Sequence, residues 1–153
     1  MKLNLGSGQV KLEGYVNIDN RPEMNPDMIL DITEVLPFDN NSIEYIRAFD
    51  ILEHIPPSKV IFVMEELYRV LAVGGIFESS TPDAEYGCTA FQDPHHVSFW
   101  VMNSWLYYSD VRYSSLYGIK ANFKIISLDR YPTLTHDNNL YWIHAVVTKE
   151  EAS

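Results

Sequence analysis

Near the start of the chain apolar and polar residues alternate: Lys2 and Asn4 are polar, Leu3 and Leu5 apolar, and the run stops at Gly6-Ser7-Gly8. A period of two that ends on glycine predicts a strand over residues 2–5 and a tight turn. The stretch 15–19 is a second short strand. Met28-Ile29-Leu30, between Asp27 and Asp31, reads as a third, buried one. Residues 43–51 make a fourth, after the turn-rich Pro37 to Ser42. From Pro57 the period changes. Val60, Ile61, Met64, Leu67, Tyr68 and Leu71 recur at helical spacing, Pro57 suits a first helical turn, and Gly74-Gly75 ends the segment. Residues 76–80 predict a fifth strand stopped by Pro82, and the aromatic-rich stretch 99–118 an irregular helix. Residues 123–128 and 141–148 alternate again as strands six and seven, pairing antiparallel at one edge through the connection 131–139.

Strands mixed with helical segments predict an α/β domain built on a parallel sheet. At 153 residues the chain has the length of a single domain, 1–153. No stretch nears the roughly 20 apolar residues of a membrane span. The start lacks the apolar block of a signal peptide, and Cys88 is the only cysteine, so a cytoplasmic protein without a disulfide is expected. Eleven Lys and Arg stand against 21 Asp and Glu, a net charge of −10, with the basic residues scattered. Nucleic-acid backbones are bound by clustered basic residues, which argues against a nucleic-acid partner.

Three acids follow strand ends. Asp19 closes the second strand, placed to accept hydrogen bonds from ribose hydroxyls, with Asn20 beside it. Asp31-Ile32 leaves the third, where a carboxylate and an apolar side chain can grip an adenine edge and face. Asp50-Ile51 ends the fourth and runs into Leu52-Glu53-His54. In open α/β sheets ligands sit beyond the carboxyl ends of the strands, at the switch in strand order.

With these motifs in order, the sequence resembles the class I S-adenosylmethionine-dependent methyltransferases, particularly the ubiquinone-biosynthesis type. The glycine motif matches Leu3 to Gly8, the acid after the second strand Asp19, and the Leu-Pro-Phe segment with its preceding acid Asp31 to Phe38. Leu52-Glu53-His54 and Arg69-Val70-Leu71-Ala72-Val73-Gly74-Gly75 complete the set. The resemblance covers residues 2–82 closely and runs loosely to about 108. It implies a Rossmann-like, doubly wound fold: a mostly parallel seven-stranded sheet with an antiparallel edge strand, in a three-layer αβα sandwich. It implies S-adenosylmethionine as cofactor and S-adenosylhomocysteine as product. Leu5, Gly6, Ser7 and Gly8 would line the methionine end, Asp19 and Asn20 the ribose, Asp31 and Ile32 the adenine, and Asp50 and Ile51 the methionine portion.

Two departures stand out. Asn4 replaces a common acid, which predicts a weaker contact to the cofactor's amino group. Only residues 9–14 separate the glycine turn from the second strand, where the family has a whole helix. A parallel crossover usually takes a dozen or more residues, so a reduced first helix is expected. An apolar sheet face left bare in this way predicts a homodimer, with residues 9–25 at or beside the interface.

The segment Asp93-Pro94-His95-His96 follows the fifth strand, where the resemblance puts the acceptor. A neutral imidazole can take a proton near pH 7, which makes His96, and after it His54, the candidate catalytic residues. No metal is expected: adjacent histidines in extended chain face opposite ways, Cys88 has no zinc spacing, and His136, Asp137 and His144 lie far along the sequence. The reaction expected is methyl transfer to an oxygen or nitrogen of a small-molecule or saccharide acceptor. A catalytically silent cofactor-binding partner or sensor domain is the alternative. A nicotinamide enzyme would need a third glycine where Val10-Lys11 stands.

Overall fold

The computed structural model describes residues 1–132 and 140–151. Seven strands form one sheet: β1 (Lys2–Leu5), β2 (Val16–Asp19), β3 (Met28–Ile29), β4 (Ile43–Phe49), β5 (Leu71–Pro82), β6 (Phe123–Pro132) and β7 (Tyr141–Lys149). Their order is β3-β2-β1-β4-β5-β7-β6. The first five strands run parallel, and β7 lies antiparallel between β5 and the edge strand β6. Residues 133–139, with His136 and Asp137, fall outside the described residues.

Paired residues share a face, so the register sorts the sheet into two sides. Leu3, Leu5, Ile18, Ile46, Ala48, Phe77, Ala145 and Val147 stand on one, all fully buried. The fourteen-residue helix α1 (Pro57–Val70) covers this side with Val63, Met64, Leu67 and Val70. Beside it packs a 3₁₀ segment, Met102–Tyr108, followed by the four-residue α2 (Val111–Ser114). Trp105 meets Phe77, Phe77 meets Phe123, and Phe123 meets Tyr68 of α1, which puts both helical units on one face. The single helix expected over 99–118 is thus broken. The Asp110 side chain accepts the Arg112 N–H and starts a new helix, and Gly118, at φ +66, stops it.

The opposite face carries Asn4, Asn17, Tyr45, Arg47, Glu78 and His144. The other helical turns, Pro22–Met24 and Leu52–His54, are too short to cover it. Among the described residues, the reduction expected for the first helix therefore extends to that whole layer of the expected three. The bare face is not apolar, and the premise of the expected dimer changes with it. Tyr45 donates to Glu78, the His144 ring nitrogen Nε2 lies 2.7 Å from Glu78, and Arg47 donates to Asn4 at 3.0 Å. Even β3, expected to be buried, leaves Ile29 56% exposed, because it is the edge strand and Ile29 points to the bare side.

The short crossover is held by side chains instead of a helix. Asn4, fully buried, donates to the Val10 carbonyl at 2.8 Å and to Asn17 Oδ1 at 3.0 Å. Asn17 Oδ1 also accepts the Leu12 N–H, and Asn17 Nδ2 donates to Asp27. Asn4 is committed to this ladder and is not a weakened cofactor contact.

Burial alone would raise the Glu78 carboxyl, but the hydrogen bonds from Tyr45 and His144 outweigh it and hold it below the usual carboxylate range. Glu78→Ala should therefore cost about 1–3 kcal/mol at neutral pH. A depressed folded-state pKa contributes stability above the ordinary carboxylate range that is lost as pH falls. In urea unfolding, the gap between wild type and E78A should shrink from about pH 7 to about pH 3; a constant gap would mean that the ionised carboxylate contributes nothing.

Candidate active site

The chain leaves β1 toward β2 and β3, then crosses back to β4 on the other side of β1, so strand order switches between β1 and β4. Beyond the carboxyl ends of these strands opens a cavity of about 680 Å³. It is lined by Gly6 after β1, by Ile18, Asp19, Asn20 and Arg21 at β2, and by Leu30 to Thr33 after β3. Asp50 and Ile51 after β4, His54 to Pro56, and Asp93 and His95 complete the wall.

The turn after β1 needs its glycines. Gly6 sits at φ +60, and a Cβ there would lie 2.6 Å from Ile51 Cδ1. Gly8, at φ +47, donates its N–H to Asp19 Oδ2 at 2.8 Å. Ser7 is buried, its N–H bound to the Ile18 carbonyl and its hydroxyl accepting from Lys11. Neither Ser7 nor Gly8 lines the cavity; they fix the turn. Leu5 does not reach it either, being fully buried in the apolar core. Asp50 has a left-handed backbone at φ +51, uncommon for a residue with a Cβ, and accepts from the Trp142 indole at 2.9 Å.

Asp19 is 4% exposed and already engaged: Oδ2 takes the Gly8 N–H, and Oδ1 takes the Arg21 N–H and Nε. Burial would raise its carboxyl, yet the bonds from Arg21 and Gly8 win and keep it ionised below the usual range. A carboxylate offers about four acceptor positions, so room for a ligand hydroxyl remains. Asp31 Oδ1 caps its own loop by accepting from the Thr33 N–H and hydroxyl, while Ile32 is buried at the cavity wall. The loop from Asp31 to Phe38 is clamped onto α1. The Glu66 carboxylate accepts the Leu36 N–H, and Arg69 donates to the Leu36 and Phe38 carbonyls.

The two candidate histidines meet, with ring centroids 4.9 Å apart. His54 lines the cavity, whereas His96, its side chain 8% exposed, stands behind it with Glu53. Backbone bonds from Val97 and Ser98 to the Glu53 carbonyl, and from the Ser98 hydroxyl to the Leu52 carbonyl, lock the Leu52–His54 turn onto the 93–98 loop. Burial pushes the Glu53 carboxyl up to about 8, and nearby Asp50 and Asp93 add to the rise. Burial, with the neighbouring His96, lowers the His54 imidazole. Sequence reasoning gave Glu53 and Arg21 no role. Their only signals were adjacency: an acid directly before His54, and a base two residues after Asp19.

No family model and no curated protein matches the sequence. Solved structures do match the fold. One is a complex of the Trm112 methyltransferase activator and a methyltransferase from Haloferax volcanii, at TM-score 0.75 and 15% identity, covering 99% of this chain and 82% of that one. A SAM-dependent methyltransferase from Methanosarcina mazei aligns at TM-score 0.70 and 14% identity, covering 97% and 92%. The 1,6-didemethyltoxoflavin-N1-methyltransferase of Burkholderia thailandensis, solved with its substrate and S-adenosylhomocysteine, aligns at 0.67 and 13%, covering 98% and 71%. The chain thus has the fold of these methyltransferases, one that a [4+2]-cyclase also uses.

Gly6→Ala should lose about 1–2 kcal/mol in urea unfolding from its backbone conformation, and more from the Ile51 contact. Gly14, at φ +79 with nothing within 4 Å of a Cβ, serves as the control. Gly14→Ala should lose only the backbone share, so equal losses would show that Ile51 yields freely.

Proposed function

We propose that the chain is a single-domain methyltransferase that binds S-adenosylmethionine along the strand ends. What carries the reading is the convergence of Gly6, Asp19, Asn20, Asp31, Ile32, Asp50 and Ile51 on one cavity at the strand-order switch. In this reading Asp19 takes the ribose hydroxyls as Arg21 Nε swings away, and Asn20 lies beside them. Ile32 packs on the adenine, Asp31 uses its second oxygen for the exocyclic amine, and Asp50 and Ile51 flank the methionine portion. The Gly6-Ser7-Gly8 turn closes the methionine end.

The acceptor enters where His54, Asp93 and His95 rim the cavity. Its oxygen or nitrogen attacks the sulfonium methyl, the S–C bond breaks with its electron pair retained by sulfur, and S-adenosylhomocysteine leaves. Because the sulfonium is already activated, alignment and exclusion of water supply most of the rate. A hydroxyl acceptor's proton passes to the histidine pair, received at His54 with His96 behind it. A small-molecule or saccharide acceptor belongs to the same reading. A net charge of −10 disfavours a nucleic-acid acceptor. No described helix is long and apolar enough to cross a membrane, and a cytoplasmic site of action fits the reading.

Calorimetry with S-adenosylhomocysteine tests the core of this proposal. Asp19→Ala should lose about 1.5–3 kcal/mol of binding, the range for a hydrogen bond to a charged group, and Asp31→Ala less. Unchanged affinity in D19A would remove Asp19 from the ribose.

A two-fold homodimer belongs to the same reading, now on the ground of the sheet edge. Strand β3 ends the sheet order with Ile29 exposed beside it, and exposed strand edges invite pairing. Light scattering at micromolar concentration should give twice the 17.7 kDa chain mass. The mass of one chain would refute the dimer.

A further inference from the structure

Glu53 poses a problem that methyl transfer does not explain. Its side chain is 2% exposed, and neither carboxylate oxygen has a hydrogen-bond partner among the described residues. A buried carboxyl group without a hydrogen-bond partner is costly unless something compensates for it. Two imidazoles stand against it. One nitrogen from His54, one from His96 and an oxygen of Glu53 all lie within 4.8 Å of one another.

Backbone carbonyls hold one nitrogen of each ring. His54 Nδ1 lies 3.3 Å from the His95 carbonyl, and His96 Nδ1 lies 3.0 Å from the Ala90 carbonyl. A carbonyl only accepts, so in the neutral ring each Nδ1 carries the proton and each Nε2 keeps a lone pair. A backbone carbonyl holding the far nitrogen is the usual outer support of a metal-bound histidine. Asp93 adds negative charge, its Oδ2 lying 3.8 Å from His96 Nε2. The adjacency that argued against a metal in the sequence concerned His95 and His96. The structure pairs His96 with His54 instead and leaves His95 at the surface, its side chain 84% exposed.

We propose that Glu53, His54 and His96 bind one divalent first-row transition metal ion beside the cavity. Two imidazoles and one carboxylate suit zinc, iron, cobalt or manganese and leave coordination positions open. Bonds of about 2.0–2.2 Å require the ligand atoms to draw closer together on binding. An ion held there takes the Nε2 lone pairs that would otherwise receive a hydroxyl acceptor's proton, so the two roles exclude each other, and the acceptor oxygen would be a further ligand. That last role rests on the methyltransferase reading; the metal site itself does not.

The test uses the whole chain, freed of metal with a chelator and titrated with Co²⁺ followed by visible absorption, and with Zn²⁺ by calorimetry. Wild type should bind one ion per chain, with a cobalt absorption band that Zn²⁺ abolishes. Glu53→Gln and His96→Gln should each weaken binding by more than the roughly 10–100-fold typical of losing an outer support, while His95→Gln leaves it unchanged. Thermal melting supplies a second readout. Zn²⁺ should raise the midpoint of wild type and not that of E53Q, and metal-free E53Q should melt no lower than metal-free wild type. No saturable binding by wild type, or binding kept in E53Q and H96Q, would overturn the site. Titrating the same samples with S-adenosylhomocysteine separates the two proposals: metal binding without it leaves the ion site standing and removes the cofactor.

Discussion

The hydrogen bond between Asn4 and Asn17, both buried, lets this sheet stand with helices, among the described residues, on one side only. A parallel sheet is normally apolar on both faces and covered on both. Here the uncovered face has been made polar, and its polar groups satisfy one another. Arg47, Asn4, Asn17 and Asp27 form a ladder across three neighbouring strands and the loop beyond them. The same two asparagines take up the Val10 carbonyl and the Leu12 N–H, backbone groups that a helix would otherwise have satisfied. The crossover can then be short without leaving buried donors unpaired.

That economy preserves the strand ends. The crossover departs from the glycine turn and returns at Val16, so Gly8 and Asp19 stay in hydrogen-bond contact and the cavity keeps its floor. On the covered side, Glu66 and Arg69 of α1 hold the loop that carries Asp31 and Ile32. The turn bearing Glu53 and His54 is tied by backbone bonds to the loop bearing His96. Three separate devices thus fix three walls of one cavity. Each uses hydrogen bonds more than helix packing.

Much of the fold was legible from periodicity. Alternation located the strands, and the change to helical spacing after Pro57 located α1, because both signals come from burying one face of a regular element. The stretch 99–118 was misjudged because its aromatic residues fill the core through 3₁₀ and turn geometry, which leaves no clean period. The bare face was hidden for a different reason. Asn4, Asn17 and Glu78 look like the solvated side of half-buried strands, and only the register reveals that they bond to one another. At the site, Asp19, Asp31 and Asp50 were readable because strand-end acids follow from topology. Glu53 was not: a glutamate beside a histidine carries no mark of burial, and His96 joins it only through a loop some 40 residues on.

What occupies the cavity at the strand-order switch decides the function. A crystal structure of the chain with S-adenosylhomocysteine decides it. The ribose hydroxyls should lie within hydrogen-bond distance of Asp19 with Arg21 displaced, the adenine against Ile32, and the sulfur turned toward His54. A ligand bound elsewhere, or a cavity that stays empty at saturating S-adenosylhomocysteine while NAD enters it, would contradict the reading.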